Sequence, residues 1–454
     1  MRPRPRHLAG LVLAAALLVG AAGAIASTGS LTYQGCIANA GIDDCREPRH
    51  NSFGNNVGIA PSPDGSSVYV AAFEGTVTRL QRRSGGSLAY RGCFADEGRH
   101  GCKDILHDSI DSATGLAVSP DGASVYVTSG QHTNAVTRFK RDSTGRLRYR
   151  GCTANGGAHA GTRGCANPRR NSLDSNEAVA ISPNGSSVYV VSSDSDSITR
   201  FNRKANGGLV YRGCIANRGA HGCVKPKHDS LGGAFDVAVS PDGASVYVAS
   251  LDGDSITRFN RAPDGSLAYN DCVANAGAHG CRKPDHDSLG GADAIAISPD
   301  GVSVYVASLR GGAITRFTRL PGGLLEPGGC FADGGAHDCR SAKKGSLHAA
   351  DGIAVSADGR SLYTSAMTGP TVNGGAGAIT WFDRHLDGSL GFRGCFADAG
   401  KYGCNEPRLD SLGSPESIAV GPNGASVYVG SFGRTFSIFG RAGGPLKDRA
   451  QGAR

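Results

Sequence analysis

A tyrosine in the same local setting returns at Tyr69, Tyr126, Tyr189, Tyr247, Tyr305, Tyr363 and Tyr428, in steps of 57, 63, 58, 58, 58 and 65 residues. Around it stand near-copies of one phrase, Val237-Ala-Val-Ser-Pro-Asp-Gly-Ala-Ser-Val-Tyr-Val-Ala-Ser250. A period near sixty, held along almost the whole chain, means one supersecondary unit copied seven times. A single copy cannot bury its own apolar surface, so neighbours must stack on one another.

Each copy reads as four short strands. Val237-Ala-Val-Ser alternates large and small apolar residues, and Pro241-Asp242-Gly243 turns the chain. Ser245 to Ser250 is dense in β-branched and aromatic residues, and Ser255 to Asn260 follows a hairpin. Pro263-Asp264-Gly265 turns again into Ser266 to Tyr269, which ends near Cys272. Four antiparallel strands per copy make a propeller blade. The ends complete the pattern. Leu31-Thr-Tyr-Gln-Gly-Cys36 is a fourth strand with no three before it, and Ser417 to Phe439 is three strands with no fourth. Pairing Leu31–Gly35 beside Ser437–Phe439 removes both free edges. The expectation is an all-β chain: a closed seven-bladed β-propeller of four-stranded antiparallel blades over residues 27–440, its N-terminal strand completing the last blade.

The phrases Ala238 to Ser250 and Ile256-Thr-Arg-Phe259 resemble the YVTN-type repeats of the lactonase-like seven-bladed β-propellers. The likeness runs over nearly all of the chain beyond residue 26. It implies the propeller fold, and it implies kinship with a group that holds sugar-lactone hydrolases and cell-surface proteins alike. The catalytic residues of that group lie outside the repeat motif, so the resemblance assigns none here. A cysteine-bridged loop after every fourth strand sets this chain apart.

Arg2, Arg4 and Arg6 followed by an apolar run from Leu8 to about Ala22, then Ala24-Ile25-Ala26, read as an export signal occupying residues 1–26. Its removal lowers the formal charge from +8 to +5. That charge is mild and carries no long basic run, which argues against nucleic acid. No later segment is apolar for long enough to span a bilayer. Residues 441–454 read as a disordered polar tail.

The fourteen cysteines fall as seven close pairs. Cys36 stands with Cys45, Cys93 with Cys102, Cys152 with Cys165, Cys214 with Cys223, Cys272 with Cys281, Cys330 with Cys339 and Cys395 with Cys404. Their spacing is too wide for zinc or C-x-x-C redox chemistry. In an exported chain it reads as one local disulfide per blade.

Three sets of residues could carry function. Arg79, Arg138, Arg200, Arg258 and Arg316 share one third-strand position, replaced by Trp381 and Ile438 in the last two blades. They suit either a basic stripe or an inter-blade contact, and a repeated structural contact is the simpler reading. His100 with His107, His221 with His228 and His279 with His286 could bind a transition metal, but their spacing matches no metal signature. The third set stands just before the first strand, where the seven copies align Val57, Thr114, Glu177, Phe235, Asp293, Asp351 and Glu416, with Asp236 next to Phe235.

First strands line a propeller's channel, so Glu177, Asp293, Asp351 and Glu416 ring one mouth of it. Converging there, they would raise one another's pKa, hold a hard cation such as Ca²⁺, or serve as general acid and base. The alternative is that each caps loop N–H groups separately. Long insertions at Thr368–Ala376 and Ala160–Arg163 fall on that same face. The reading is an exported monomer that binds an extracellular ligand, polymer or protein through its disulfide-stapled face. A lactonase-like hydrolase at the channel mouth is the alternative.

Overall fold

The computed structural model describes residues 29–156, 164–367 and 377–443. The expected export segment, most of the expected tail and both long insertions lie outside these residues. Seven sheets, one per repeat, surround a common axis, each with four antiparallel strands, and those of blades 1 and 5 add a short fifth strand in parallel. Their innermost strands are Asn56–Pro61, Ala113–Val118, Asn176–Ile181, Ala234–Val239, Ala292–Ile297, Ala350–Val355 and Pro415–Val420, in blades 1 to 7. Each touches the innermost strand of the next blade, and blade 7 touches blade 1, so the ring is closed.

Closure follows the expected route. Leu31–Ala38 pairs antiparallel with Thr435–Arg441, from Leu31 opposite Arg441 to Ala38 opposite Thr435. Ile37 is 1% exposed and packs with Phe53, Val70, Tyr428 and Phe436, at the joint of blades 7 and 1. The last strand runs through Arg441, one residue beyond the expected boundary, because Arg441 is a buried structural residue.

The second strand of every blade is buried from end to end, since a neighbouring blade covers each of its faces. That burial explains the recurring tyrosine, whose hydroxyl needs a partner inside. Tyr69, Tyr126, Tyr189, Tyr247 and Tyr305 donate to the carbonyls of Gly145, Gly207, Gly265, Gly323 and Gly388 in the next blade's third-to-fourth turn, at 2.6–2.7 Å. Tyr363 reaches Gly29 at 2.8 Å. Glycine is needed at these turns for its positive φ and for proximity: a Cβ on Gly265 would meet Ser187 Oγ at 2.0 Å.

An arginine then completes the joint from the next blade. Arg141 Nε donates to Tyr69 Oη at 2.8 Å, and its Nη2 pairs with Asp64 at 2.6 Å. Arg203 does the same with Tyr126 and Asp121, Arg319 with Tyr247 and Asp242, Arg384 with Tyr305 and Asp300, and Arg441 with Tyr363 and Asp358. Arg261 holds Tyr189 at 2.8 Å, but Asn184 stands where the acid would be, and its Nη2 finds only serine hydroxyls. At the joint of blades 7 and 1 Asn423 again replaces the acid, and Arg82 lies beside Tyr428 without the well-aligned hydrogen bond of the other joints.

The mid-strand arginines also serve the blade joints. Arg138, Arg258 and Arg316 donate to the carbonyls of Asn206, Gly322 and Asp387 in the following blade, at 2.5–2.6 Å, and Arg79 does so to Thr144. Arg200 lies 3.9 Å from Asp264. The contact reading of this set therefore holds.

All seven cysteine pairs are disulfide-bonded as the spacing predicts. Cys36 is bonded to Cys45, Cys93 to Cys102, Cys152 to Cys165 and Cys214 to Cys223. Cys272 is bonded to Cys281, Cys330 to Cys339 and Cys395 to Cys404, and no cysteine is left free. The Cα–Cα distances are 4.7–5.0 Å. Each bond bends the chain so that the residue after the second cysteine pairs in parallel with the residue after the first, as Ile37 with Arg46 and Phe94 with Lys103. Inside the loops His100, His221, His279 and His337 hold positive φ of 55–59°. His107 and His228 pack on Tyr149 and Tyr269 of the next blade, with ring centroids at 6.3 and 6.0 Å. His107 and His228 therefore pack on a neighbouring ring, whereas His100, His221, His279 and His337 stand exposed. Among the described residues no group of three or more His, Cys, Asp or Glu is placed to hold a metal ion.

Candidate functional site: the channel mouth

Every innermost strand breaks register with its neighbour at its second residue, or at the second and third together. A bulge leaves a residue unpaired and re-aims its side chain. The seven residues so placed are Val57, Thr114, Glu177, Phe235, Asp293, Asp351 and Glu416. All of them, with Asp236, line a single cavity of about 220 Å³ at the head of the innermost strands. The acids form one arc, from Glu177 on blade 3 to Glu416 on blade 7. Val57 and Thr114 on blades 1 and 2 leave the opposite wall unionised.

Asp293 and Asp351, on adjacent blades, are hydrogen-bonded carboxyl to carboxyl. They are 4% and 9% exposed. Burial and the charge of Asp351 hold Asp293 well above the ordinary carboxylate range, and burial lifts Asp351 to about 7. Two carboxyls in contact away from water cannot both ionise cheaply, so near neutrality the pair keeps one proton.

Glu416 is raised well above its usual value by burial, then by the charges of Asp351, Glu177 and Glu74. Its Oε2 is buried with no hydrogen-bond partner. Glu177, pushed to about 7 by burial, accepts from Ser193 Oγ at 2.7 Å. Asp236 is structural: it accepts from the N–H of Val237 at 2.7 Å and of Ile295 on blade 5 at 2.9 Å, and burial raises it to about 6.

The four acids aligned from sequence thus share one cavity, but only Asp293 and Asp351 touch. Among the described residues no three of these acids are grouped closely enough to hold a metal ion. Glu74 escapes the repeat alignment. It sits in the hairpin between the second and third strands, where the copies diverge, and accepts from Asn55 N–H at 2.6 Å.

No family model and no curated protein sequence matches the chain. Solved structures do. A candidate 6-phosphogluconolactonase from Bacteroides fragilis superposes over 87% of this chain and 93% of its own, with a TM-score of 0.56 at 19% identity. One from Bacteroides uniformis does so over 87% and 94%, with a TM-score of 0.56 at 18% identity. The fold is the lactonase-like seven-bladed propeller. The same propeller likeness extends to Kuenenia stuttgartiensis hydrazine synthase, over 86% of this chain and 96% of that one, with a TM-score of 0.51 at 16% identity. Such a range of chemistries on one scaffold means that the site must be argued from its own residues. Seven disulfides fit an extracellular setting for this propeller. No helix among the described residues is long and apolar enough to cross a membrane.

Proposed function

We propose that the protein is an exported binding module that takes up a ligand at the acid-lined channel mouth, on the face ringed by the disulfide loops. The observation that supports this reading is the run of seven bulges directing four carboxyls into one cavity. Among the described residues no arginine, lysine or histidine lines that cavity. Acids gathered without a counter-charge favour a guest that brings one, such as an ammonium group, which would displace the retained proton as it binds.

The test is calorimetric titration with spermidine and with a lysine-containing tetrapeptide at pH 6, 7 and 8. Binding should tighten as pH rises, because the guest competes with protons. Asp293→Asn with Glu416→Gln should weaken it by about tenfold, equivalent to about 1.4 kcal/mol. Affinity that ignores both pH and these substitutions would contradict the reading.

The Asp293–Asp351 pair favours a second reading, hydrolysis of a lactone. One ionised carboxylate would take a proton from water as its oxygen attacks the ring carbonyl. The protonated partner would deliver its proton to the ring oxygen as the C–O bond breaks, leaving a hydroxy acid. Lactone turnover that survives Asp293→Asn would exclude this route.

A further inference from the structure

A cleft on the outer wall, separate from the channel, is explained by none of the roles above. It lies where the third and fourth strands of blade 1, Thr76–Arg82 and Leu88–Ala95, meet a turn of blade 2 and the loop after the N-terminal strand. The cleft holds about 360 Å³, and Arg49, His50, Arg79, Arg91, Lys103 and Arg146 line it. Among the described residues no carboxylate does. Val77, Phe94 and Leu147 supply apolar surface.

Apart from Arg79, whose Nη2 donates to the Thr144 carbonyl at the blade joint, and Arg91, whose Nε meets Gln81, these cations are not engaged by the fold. Among the described residues no ion pair involves Arg49, Arg79, Arg91, Lys103 or Arg146. Arg91 Nε donates to Gln81 at 2.7 Å, while Arg79 Nε is buried with no hydrogen-bond partner.

The repeats supply an internal comparison. In blade 4 the positions of Arg79 and Lys103 are Arg258 and Arg282, and Asp271 stands where blade 1 has Gly92. Asp271 neutralises both, accepting from Arg258 at 2.5 Å and from Arg282 at 2.9 Å. Blade 1 has no such acid. It also gains Arg146, at a turn position occupied by Gly208, Ser266, Leu324 and Ser389 in blades 3 to 6. Positive charges around a cleft with an apolar side cost solvation and mutual repulsion. Arg79 is repelled by Arg91, though attracted by Asp142, and Arg49, Arg91, Lys103 and Arg146 have no ion pair among the described residues.

We propose that this cleft binds an anionic polysaccharide. The guanidinium forks would grip its oxyanion groups, and the apolar residues would lie against the C–H face of a sugar ring. Sulfate and carboxylate groups present the same acceptor chemistry, and the probes separate them.

The protein is titrated by calorimetry with dextran sulfate oligomers, polygalacturonate oligomers and neutral dextran at about 50 mM salt, where surface charge is weakly screened. At least one anionic oligomer should bind, identifying the oxyanion, and neutral dextran should not. Arg91→Glu with Lys103→Glu should weaken binding by about tenfold or more. Arg212→Glu with Lys225→Glu makes the same charge change on blade 3 and should leave affinity within about twofold. Unchanged melting temperatures show that both double variants fold, and Arg91→Gln with Lys103→Gln replaces the reversal if one does not. Failure of both anionic oligomers to bind overturns the proposal. Equal losses in the two double variants also overturn it, by assigning the attraction to net charge. Neither outcome bears on the channel mouth.

Discussion

Ile37→Asp is expected to destabilise the whole propeller by about 4 kcal/mol or more, the scale set by emptying a core site and burying a charge there. Ile37 is 1% exposed and packs against Phe53, Val68, Leu80, Tyr428, Phe436 and Ile438. The substitution therefore strikes the seam where the N-terminal strand finishes blade 7 and meets blade 1. In a closed ring every other joint depends on that seam, so the loss should appear as one cooperative transition at lower urea concentration. Urea unfolding followed by near-ultraviolet circular dichroism measures it. A midpoint equal to the wild-type value would mean that the strand does not take part in the cooperative ring.

Replacing Asp96 and Asp398 together by asparagine is expected to stabilise the protein at pH 8 and to change little at pH 4. Both acids stand in the disulfide loops, 1% and 8% exposed, and accept from the N–H of Ile110 at 3.2 Å and of Leu412 at 3.0 Å. Burial is the main reason both are pushed up to about 7, with neighbouring acids adding to it. The unfolded chain releases these protons near pH 4, whereas the folded chain keeps them until about pH 7. Between those values the folded state binds more protons, so stability falls as pH rises, and above pH 7 the cost is complete.

Asparagine escapes that cost. Asn39, Asn155, Asn217 and Asn275 accept the matching N–H in four other blades, at 2.9–3.1 Å, and never ionise. The gain should be about 1–2 kcal/mol per site at pH 8. Thermal melts of both proteins across pH 4–8 test it. Curves that stay parallel throughout would show that neither acid holds its proton.

The tyrosine period discloses the blades, their number and their closure because each blade repeats one packing problem. The cysteine pairs are legible for a similar reason: a partner nine or thirteen residues away leaves little choice of bond. The arginines of the joints carry an equally plain signal that the mid-strand set obscures. Arg82, Arg141, Arg203, Arg261, Arg319, Arg384 and Arg441 recur in all seven copies, more faithfully than the mid-strand set, which ends at Arg316. Alignment finds the acids of the mouth, yet not their directions, since a bulge shows only in register. Asp236 and Phe235 illustrate this: one residue along the strand separates a channel-facing side chain from one bound to the N–H of Ile295. The pairing of Asp293 with Asp351 requires knowing how near adjacent blades stand at the channel.

The bulged strands are held here to gather acids that keep a proton at neutral pH. Carboxyl ¹³C shifts of aspartate-labelled protein, followed from pH 3 to 9 and assigned with Asp293→Asn and Asp351→Asn, test this directly. One member of the Asp293–Asp351 pair should remain protonated to about pH 7 or beyond. Two separate titrations near pH 4, each unaffected by loss of the other residue, would contradict it.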